Sequence, residues 1–323
     1  MLYKSIISII ACLFTMSVQA QEIDTISPIS KEIVFASDTQ APMWVETLVL
    51  KRNNNRAATK SIFNDLLTRN PTAVYLLGDV VALGSSNRQW RPMDGYLKRL
   101  RSKGIKVNAA LGNHEVMGQS GRGQKKFQER FPEHNKMGSL NITDSVAVIL
   151  LNSNFNSLST SEDADQIGWY KQTLEKLDAD SSVRFVITGC HHSPYTNSRI
   201  VSSSISVREK FVPFYLKSKK SRLFLSGHSH NFEHFRQQGK DFFVIGGGGG
   251  LHQPLKSGQG LFRDLSGNYK PLFHYLSVQR QANKLQLISI RLTADFKSFQ
   301  EGRKFEISSG SDMLATTSPT STE

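Results

Sequence analysis

Short apolar runs alternate with amphipathic stretches along most of the chain. A short apolar run bounded by polar residues is typical of a buried strand, and apolar residues at spacings of three and four are typical of a helix. The predicted strands are residues 33–37, 73–77, 106–111, 146–151, 183–188, 223–225 and 242–245. The predicted helices are residues 56–69, 96–103, 124–130, 165–177 and 207–217. This alternation predicts an α/β fold in which the sheets are layered and the helices lie outside them.

The pattern changes towards the C-terminus. Residues 274–278 and 285–292 have the character of strands and are separated by a polar turn, which predicts a closing hairpin at the edge of the sheet. Residues 308–323 are rich in Ser and Thr and have no apolar face, so we expect a disordered tail. The length of 323 residues suits a single domain with a large core.

The N-terminus has the pattern of a secretory signal peptide. Lys4 precedes an uncharged, largely apolar run from Ser5 to Val18, and small residues stand at the two positions that a secretory peptidase reads. The run is shorter than the roughly 20 apolar residues that span a bilayer, so no membrane span is predicted. Lipidation at Cys12 is an alternative, but the apolar stretch before it is short. We expect a signal peptide over 1–20, cleavage after Ala20, and a periplasmic or secreted protein.

The formal net charge is +13, from 40 Lys and Arg against 27 Asp and Glu. A basic surface attracts anionic partners, either small substrates or nucleic acid. The cations are spread along the chain, and no basic stripe interleaved with aromatic residues supports binding of single-stranded nucleic acid. The charge therefore suits a small anionic substrate. It carries no signal for an oligomeric state.

Five predicted strands are each followed by residues that commonly bind metals. In an open α/β sheet, ligands bind beyond the carboxyl ends of the strands, so these residues should converge at one edge. An Asp there is by itself usually a cap or a turn residue, and a single His is usually only a satisfied polar group. The occurrence of such residues after each of five predicted strands favours a metal site. The motifs are Asp38, Gly78-Asp79, Gly112-Asn113-His114-Glu115, His191-His192-Ser193-Pro194 and Gly227-His228-Ser229-His230.

This order of motifs resembles the signature of the calcineurin-like metallophosphoesterases. The segment from His192 to Ser198 is most similar to the corresponding segment of the purple acid phosphatases, and the run Gly246 to Gly250 is similar to a glycine-rich strand end in such enzymes. The resemblance covers about residues 33–250. It implies a layered α/β/β/α sandwich in one catalytic domain, residues 31–303, and a metal-dependent phosphatase.

The resemblance also implies a set of ligands for two divalent or trivalent metal ions, drawn from Mn, Fe, Zn and Mg. Asp79 would bridge both ions. Of the two adjacent histidines, His192 is preferred over His191 because the family's ligand stands two residues before Pro194. His114 would be catalytic beside Asp79, by contacting the phosphate or protonating the leaving group after attack by a hydroxide held between the ions. The remaining ligands would be Asp38 and His230 in the first site and Asn113, His192 and His228 in the second.

Gln40 departs from the family pattern. The family usually begins with Asp-x-His, whereas this chain has Asp38-Thr39-Gln40. Purple acid phosphatases also lack that histidine but supply a tyrosine three residues after the second-motif Asp, where this chain has Ala82. The Gln40 carbonyl could coordinate a hard cation, a water could fill the position, or the first site could be lost. The presence of all the other ligands favours a working two-metal site with Gln40 as a ligand.

The substrate is less well defined by the sequence. Arg88 and Arg122 lie in the segments 84–90 and 119–123, which are candidate substrate loops. The first hypothesis is hydrolysis of phosphate monoesters outside the cytoplasm. A phosphodiesterase or nucleotidase on the same site is one alternative, and a catalytically weak phosphate- or glycan-binding protein is another.

Overall fold

The computed structural model describes residues 30–135 and 137–309. The predicted signal peptide, residues 1–20, therefore lies outside the described residues, as do residues 310–323 of the predicted tail. The helices are α1 (Asn55–Arg69), α2 (Asn87–Ser102), α3 (Asn113–Val116), α4 (Ser120–Gln128), α5 (Thr160–Ala179), α6 (Ile205–Lys210) and α7 (Val212–Lys217). The strands are β1 (Ile33–Ala36), β2 (Ala73–Leu76), β3 (Lys106–Ala109), β4 (Ser139–Thr143), β5 (Val146–Leu151), β6 (Phe185–Cys190), β7 (Ser221–Ser226), β8 (Phe232–Gln237), β9 (Lys240–Ile245), β10 (His274–Gln281), β11 (Lys284–Leu292) and β12 (Phe299–Ser308).

The strands form two six-stranded sheets. The first has the order β12-β11-β10-β1-β2-β3, and the second has the order β4-β5-β6-β7-β9-β8. Strands β1, β2 and β3 are parallel, and so are β5, β6, β7 and β9. Because the strands of a parallel set point the same way, their carboxyl ends meet at one edge of each sheet.

The two sheets pack face to face, and helices cover their outer faces. Successive residues of a strand point to opposite sides, and β1 divides accordingly. Ile33 and Phe35 belong to the core between the sheets, together with residues of β5, β6 and β7 such as Val148. Val34 and Ala36 belong to the core beneath α1 and α2, and a third core lies between the second sheet and α5 and α7. The predicted α/β/β/α sandwich is confirmed.

Several predicted elements differ in extent from the observed ones. The closing hairpin is not at the edge, because β10 pairs with β1 on one side and with β11 on the other, and β12 forms the edge. Helix α2 begins at Asn87 and not at 96, with Pro92 inside it. The helix expected over 207–217 is two short helices that meet at Phe211, and the second has Pro213 in its first turn. Strand β12 continues to Ser308, beyond the predicted domain end at 303.

Glycines let the main chain pass close to the site. A Cβ added at Gly250 would lie 2.4 Å from Cε1 of His230. A Cβ at Gly112 would lie 2.1 Å from the main-chain nitrogen of Asp79. Both positions therefore require glycine for the turns to pack against the candidate ligands.

None of the helices within residues 30–135 and 137–309 has the length and apolar character that crossing a membrane requires.

Candidate metal centre

Three predicted ligands lie in strained turns directly after the strands. Asp38, Asp79 and His228 have φ values of 59°, 49° and 66°, in the left-handed region that residues with a Cβ rarely adopt. Hydrogen bonds link these turns: the Asp38 amide donates to the Gly78 carbonyl over 3.1 Å, and the His228 amide donates to the Asp38 carboxylate over 3.1 and 3.2 Å. Strain of this kind persists where the surrounding structure fixes it, commonly at functional sites.

Asp79 lies in the middle of the site and is buried. Its Oδ1 accepts a hydrogen bond from the His114 amide at 2.8 Å, and its Oδ2 lies 3.1 Å from Nε2 of His191 and 3.7 Å from Nε2 of His114. Burial opposes its ionisation, but the two imidazoles outweigh this and hold the pKa of Asp79 well below its usual value. A buried carboxylate kept ionised among imidazoles is suited to hold cations.

Three imidazoles surround one side of this carboxylate. The ring centroids of His191, His192 and His228 are 4.6 to 5.0 Å apart, and each ring offers a nitrogen within 4.8 Å of the others. Burial first, and then the charge of His191, lowers the pKa of His192 to about 3 and that of His228 well below its ordinary value. Both rings are thus held neutral, the state in which histidine binds metals.

His191 points into the same space, although the sequence treats it only as a neighbour of the ligand. Its Nδ1 lies 2.9 Å from the Leu77 carbonyl, which can only accept, so Nδ1 is the donor. Its Nε2 then faces Asn113 Oδ1 at 2.9 Å and Asp79. His191 also forms a second group of close donors with Asp38 and Asp79, again within 4.8 Å. Burial opposes protonation of His191, but the Asp79 charge outweighs burial and raises the pKa of His191 to about 9, so a metal at this nitrogen would have to displace its proton. On geometry, both adjacent histidines are candidate ligands.

The other side of the centre contains Asp38, His230 and Gln40. Nε2 of His230 lies 3.3 Å from Oδ1 of Asp38, while its Nδ1 donates to the Leu251 carbonyl at 2.7 Å. A main-chain acceptor at Nδ1 fixes the tautomer and directs Nε2 towards the centre.

The Gln40 side chain is buried beside His230. With the amide nitrogen placed to satisfy its surroundings, it donates to the main-chain oxygens of Asp79 and Asp38 at 2.9 and 3.0 Å. The terminal atom 3.4 Å from Nε2 of His230 is then the carbonyl oxygen. The Gln40 oxygen thus lies beside the His230 nitrogen.

Glu115 supports the centre from below and is fully buried. Its Oε2 accepts hydrogen bonds from the main-chain amides of Asp79 and Gly112 at 2.9 and 2.8 Å, and its Oε1 accepts from the Val81 amide at 3.1 Å. Burial, followed by the Asp79 charge, raises the pKa of Glu115. The structure shows that it fastens the Asp79 turn to the Asn113 turn.

His114 lies beside the predicted ligands with one nitrogen turned inwards. Its Nδ1 donates to the Ala82 carbonyl at 2.9 Å, which directs Nε2 towards Asp79. Ala82 is buried and supplies no side-chain donor, in keeping with the absence of the tyrosine.

The two predicted substrate arginines do not reach the centre. Arg88 and Arg122 are both exposed, and the only side-chain hydrogen bond of either within the described residues is from Arg122 to Gln119 at 3.5 Å. Their segments do lie beside the site, because a Cβ at Gly84 or Gly123 would collide with the Glu115 carbonyl. A role for either arginine in substrate binding stays a prediction.

A cleft of about 430 Å³ opens beside the second group of ligands. Asn113, Ser153 and His192 form part of its wall. Ser153 Oγ is 2.8 Å from Nδ1 of His192 and accepts from the His192 amide at 3.0 Å. If this Nδ1 donates to Ser153, Nε2 of His192 is left free to bind a metal.

The donors present fit a pair of metal ions. Two buried carboxylates, two amide oxygens and up to four imidazoles converge without a lysine or arginine among them. Imidazole suits Zn and Fe, and oxygen donors suit Mn and Mg. This set of donors would give each of two ions both nitrogen and oxygen ligands, and it does not select one metal.

Comparison with known proteins places this geometry in context. Residues 31–232 match the calcineurin-like phosphoesterase family. The fold is similar to a purple acid phosphatase from yellow lupin (Lupinus luteus) seeds, with a TM-score of 0.68 and 18% identity over 90% of this chain and 57% of that one. It is also similar to a dimetal phosphatase from Danio rerio, with a TM-score of 0.55 and 11% identity over 87% of this chain and 99% of that one.

A third similar structure is GAP50, described as the anchor in the inner membrane complex of Plasmodium, with a TM-score of 0.60 and 13% identity over 87% of this chain and 89% of that one. No curated protein sequence gives a significant match. The chain spans 57% of the length of the lupin protein. At these identities the solved structures show a shared fold, and what the site does has to be argued from its residues.

Proposed function

Because the chain belongs to the calcineurin-like phosphoesterase family, we propose that it is a metal-dependent phosphatase that hydrolyses phosphate monoesters at the centre around Asp79. The observation that carries this proposal is the position of the Asp79 carboxylate. It is buried between a group formed by Asp38, Gln40 and His230 and a group formed by Asn113 and several imidazoles. A carboxylate shared between two such groups is the arrangement that a two-metal hydrolase needs.

Each group supplies one metal site in this proposal. Asp38, Gln40 and His230 would hold the first ion, and Asn113 and His228 would hold the second together with His192, His191 or both. When bound, the two ions would activate water and neutralise the charge on the phosphate oxygens. The protein's contribution is to fix these donors before substrate arrives, through the strained turns and through Glu115.

His114 acts on the substrate and not on the metals. Its Nε2 faces the centre while Nδ1 is fixed on the Ala82 carbonyl. A protonated imidazole there donates a hydrogen bond to a phosphate oxygen or a proton to the departing alcohol. We propose this role on the strength of its orientation.

We infer a monoester substrate because one cleft, of about 430 Å³, has Asn113 and His192 in its wall and would receive the single substituent of a monoester. We also propose that the activity is located in the periplasm or outside the cell, because residues 1–20 have the pattern of a signal peptide.

One assay separates these possibilities. The purified mature chain is freed of metal, reloaded in turn with Mn, Zn, Fe and Mg, and assayed on 4-nitrophenyl phosphate and on bis(4-nitrophenyl) phosphate. We expect turnover of the monoester with at least one metal, and a higher kcat/KM for the monoester than for the diester. Absence of turnover with every metal from a correctly folded protein would refute the enzyme proposal. A preference for the diester would refute the monoester assignment alone.

A further inference from the structure

The cleft beside the centre indicates which kind of alcohol the phosphate is esterified to, an inference that rests on the proposed function. Its volume of about 430 Å³ is in the range in which protein pockets enclose small molecules. Since Asn113 and His192 form one wall, an ester whose phosphate lies on the metals would place its leaving group in this cleft. The remaining walls therefore face the alcohol.

Those walls are hydroxyl- and amide-rich and uncharged. The lining outside the predicted ligands consists of Ser and Asn side chains together with Val116 and Phe155, and none of the lining residues is charged. This is unexpected on composition alone, because the chain contains 40 Lys and Arg and 27 Asp and Glu. A carboxylate or a further phosphate on the leaving group would lose water without meeting a cation here, and an ammonium group would meet no carboxylate.

Several of these polar groups still have hydrogen-bonding capacity. Ser120 Oγ accepts a bond from Gln124 at 3.0 Å, and Ser204 Oγ accepts one from the main chain of its own helix at 3.3 Å. Each hydroxyl therefore keeps its proton for donation to a ligand. The side chains of Asn156 and Ser206 have no protein hydrogen-bond partner within the described part of the chain. These groups are neutral, and each can pair with hydroxyls.

Phe155 provides one apolar wall and is held in place. Its ring packs against Phe211 with centroids 5.2 Å apart, and the Lys210 ammonium lies 4.4 Å from its centroid. Lys210 is itself paired with Asp163, so its charge is compensated. A fixed aromatic ring beside neutral hydrogen-bonding groups matches a sugar ring, which presents C–H groups on its faces and hydroxyls around its rim.

We propose that the leaving group is a neutral, hydroxyl-rich ring and that the substrates are sugar phosphates. The uncharged walls select against esters that carry a second charged group, while Phe155 and the free hydroxyls of Ser120 and Ser206 contact the sugar. The net positive charge of the protein then attracts the phosphate, and the cleft selects among phosphate esters by the chemistry of their alcohol.

The test compares leaving groups on the metal-loaded full chain. The substrates are glucose 6-phosphate, adenosine 5′-monophosphate, 3-phosphoglycerate and phosphoethanolamine, with 4-nitrophenyl phosphate as the reference for general activity. We expect kcat/KM for glucose 6-phosphate to exceed that for the two charged-alcohol esters by about tenfold or more. Equal rates on glucose 6-phosphate and 3-phosphoglycerate, with normal turnover of the reference, would overturn the sugar assignment and leave the phosphatase proposal intact. A clear preference for the nucleotide would also overturn it.

Variants of the cleft locate the effect. Phe155→Ala and Ser206→Ala should each lower kcat/KM for glucose 6-phosphate by about threefold to tenfold. The ratio of kcat/KM for glucose 6-phosphate to kcat/KM for 4-nitrophenyl phosphate should also fall. Ser202→Ala is the matched control, because Ser202 is an exposed serine of the same segment that does not line the cleft. Ser206→Ala keeps the test valid if Phe155→Ala folds poorly. An unchanged ratio in Ser206→Ala and in folded Phe155→Ala would contradict the proposal.

A binding measurement tests the cleft without turnover. Saturation-transfer NMR on the metal-free wild type, which would not hydrolyse the ester, should show transfer from the protein to the sugar protons of glucose 6-phosphate. The transfer should be weakened in Ser206→Ala and unchanged in Ser202→Ala. If the protein turns over no aryl phosphate yet shows this pattern, the phosphatase proposal fails and the sugar site stands. Absence of transfer to the sugar protons would overturn the sugar site.

Discussion

The terminal oxygen of the Gln40 amide lies 3.4 Å from Nε2 of His230, and its nitrogen is bound to the main-chain oxygens of Asp38 and Asp79. The residue that departs from the family pattern is therefore oriented as a ligand would be, with its donor atom beside that of a neighbouring ligand. An amide oxygen is a weaker donor than imidazole to Zn or Fe and a better match to harder cations. We therefore expect the departure at this position to affect which metal is bound more than whether one is bound.

Substitution of Gln40 tests, through the metal content of the protein, whether this residue is a ligand. Gln40→Ala should lower the occupancy of one of the two sites, because it removes a donor, and reduce bound metal from about two ions per chain towards about one. Gln40→His should raise the affinity for Zn relative to Mn. Inductively coupled plasma mass spectrometry after dialysis against a defined metal buffer measures both. Unchanged stoichiometry in Gln40→Ala together with unchanged Zn preference in Gln40→His would show that this residue is not a ligand.

Substitution of the two adjacent histidines tests which of them binds metal in the second site. If both bind metal, His191→Ala and His192→Ala should each reduce metal content and kcat. His191→Ala should have the larger effect, because its Nε2 is 3.1 Å from the shared Asp79 carboxylate. Isothermal titration with Mn and Zn measures the affinities. Wild-type affinity in His191→Ala would restrict the ligand to His192.

Glu115 is predicted to hold the centre together without touching the substrate. Glu115→Gln places an amide nitrogen against main-chain donors, and we expect it to destabilise the protein by about 3 kcal/mol and to weaken metal binding. Urea unfolding of the metal-free protein measures the first effect. Glu133→Gln, at an exposed position, is the control. A Glu115→Gln protein as stable as the control would exclude the proposed role.

Because His134 is buried without a hydrogen-bond partner for either ring nitrogen within the described residues, we expect the folded protein to lose stability in acid. Burial lowers the pKa of His134 to about 4. The unfolded chain takes up the proton near pH 6.5, so the contribution of the neutral ring is complete above 6.5 and is lost as the pH falls towards about 4. In the metal-free protein, the free energy of unfolding should therefore fall less with decreasing pH in His134→Phe than in wild type, by up to about 3 kcal/mol. Urea unfolding of both proteins at pH 7 and pH 4.5 measures this. If the free energy of unfolding falls by the same amount between the two pH values in wild type and in His134→Phe, the prediction is contradicted.

Much of the layered fold could be predicted because the buried strands are apolar throughout. Strand β5 has the predicted bounds, 146–151, and all six of its residues are buried. Strands β4 and β12 were missed because they are edge strands whose side chains are partly exposed and polar. Strand β8 was missed for a different reason. It follows the last ligand motif directly, and its charged residues Glu233 and Arg236 hide its alternation.

The site could be predicted as a set but not in its detail. The motifs identified which turns converge, because their order and their place after the strands are visible in the sequence. The choice between His191 and His192 is not visible, since neighbouring residues point in different directions and only the packing against Leu77 and Ser153 shows where each ring faces. The role of Glu115 likewise depends on two turns that are 36 residues apart and meet only in the fold.

The measurement that tests the central claim most directly is metal content and turnover of Asp79→Asn, determined on the same sample, with the exposed Asp165→Asn as control. Because Asp79 serves both sites in this account, its loss should remove most of the bound metal and lower kcat/KM on 4-nitrophenyl phosphate by about a thousandfold or more, while the control retains both. Wild-type metal content together with wild-type turnover in Asp79→Asn would contradict the shared two-metal centre.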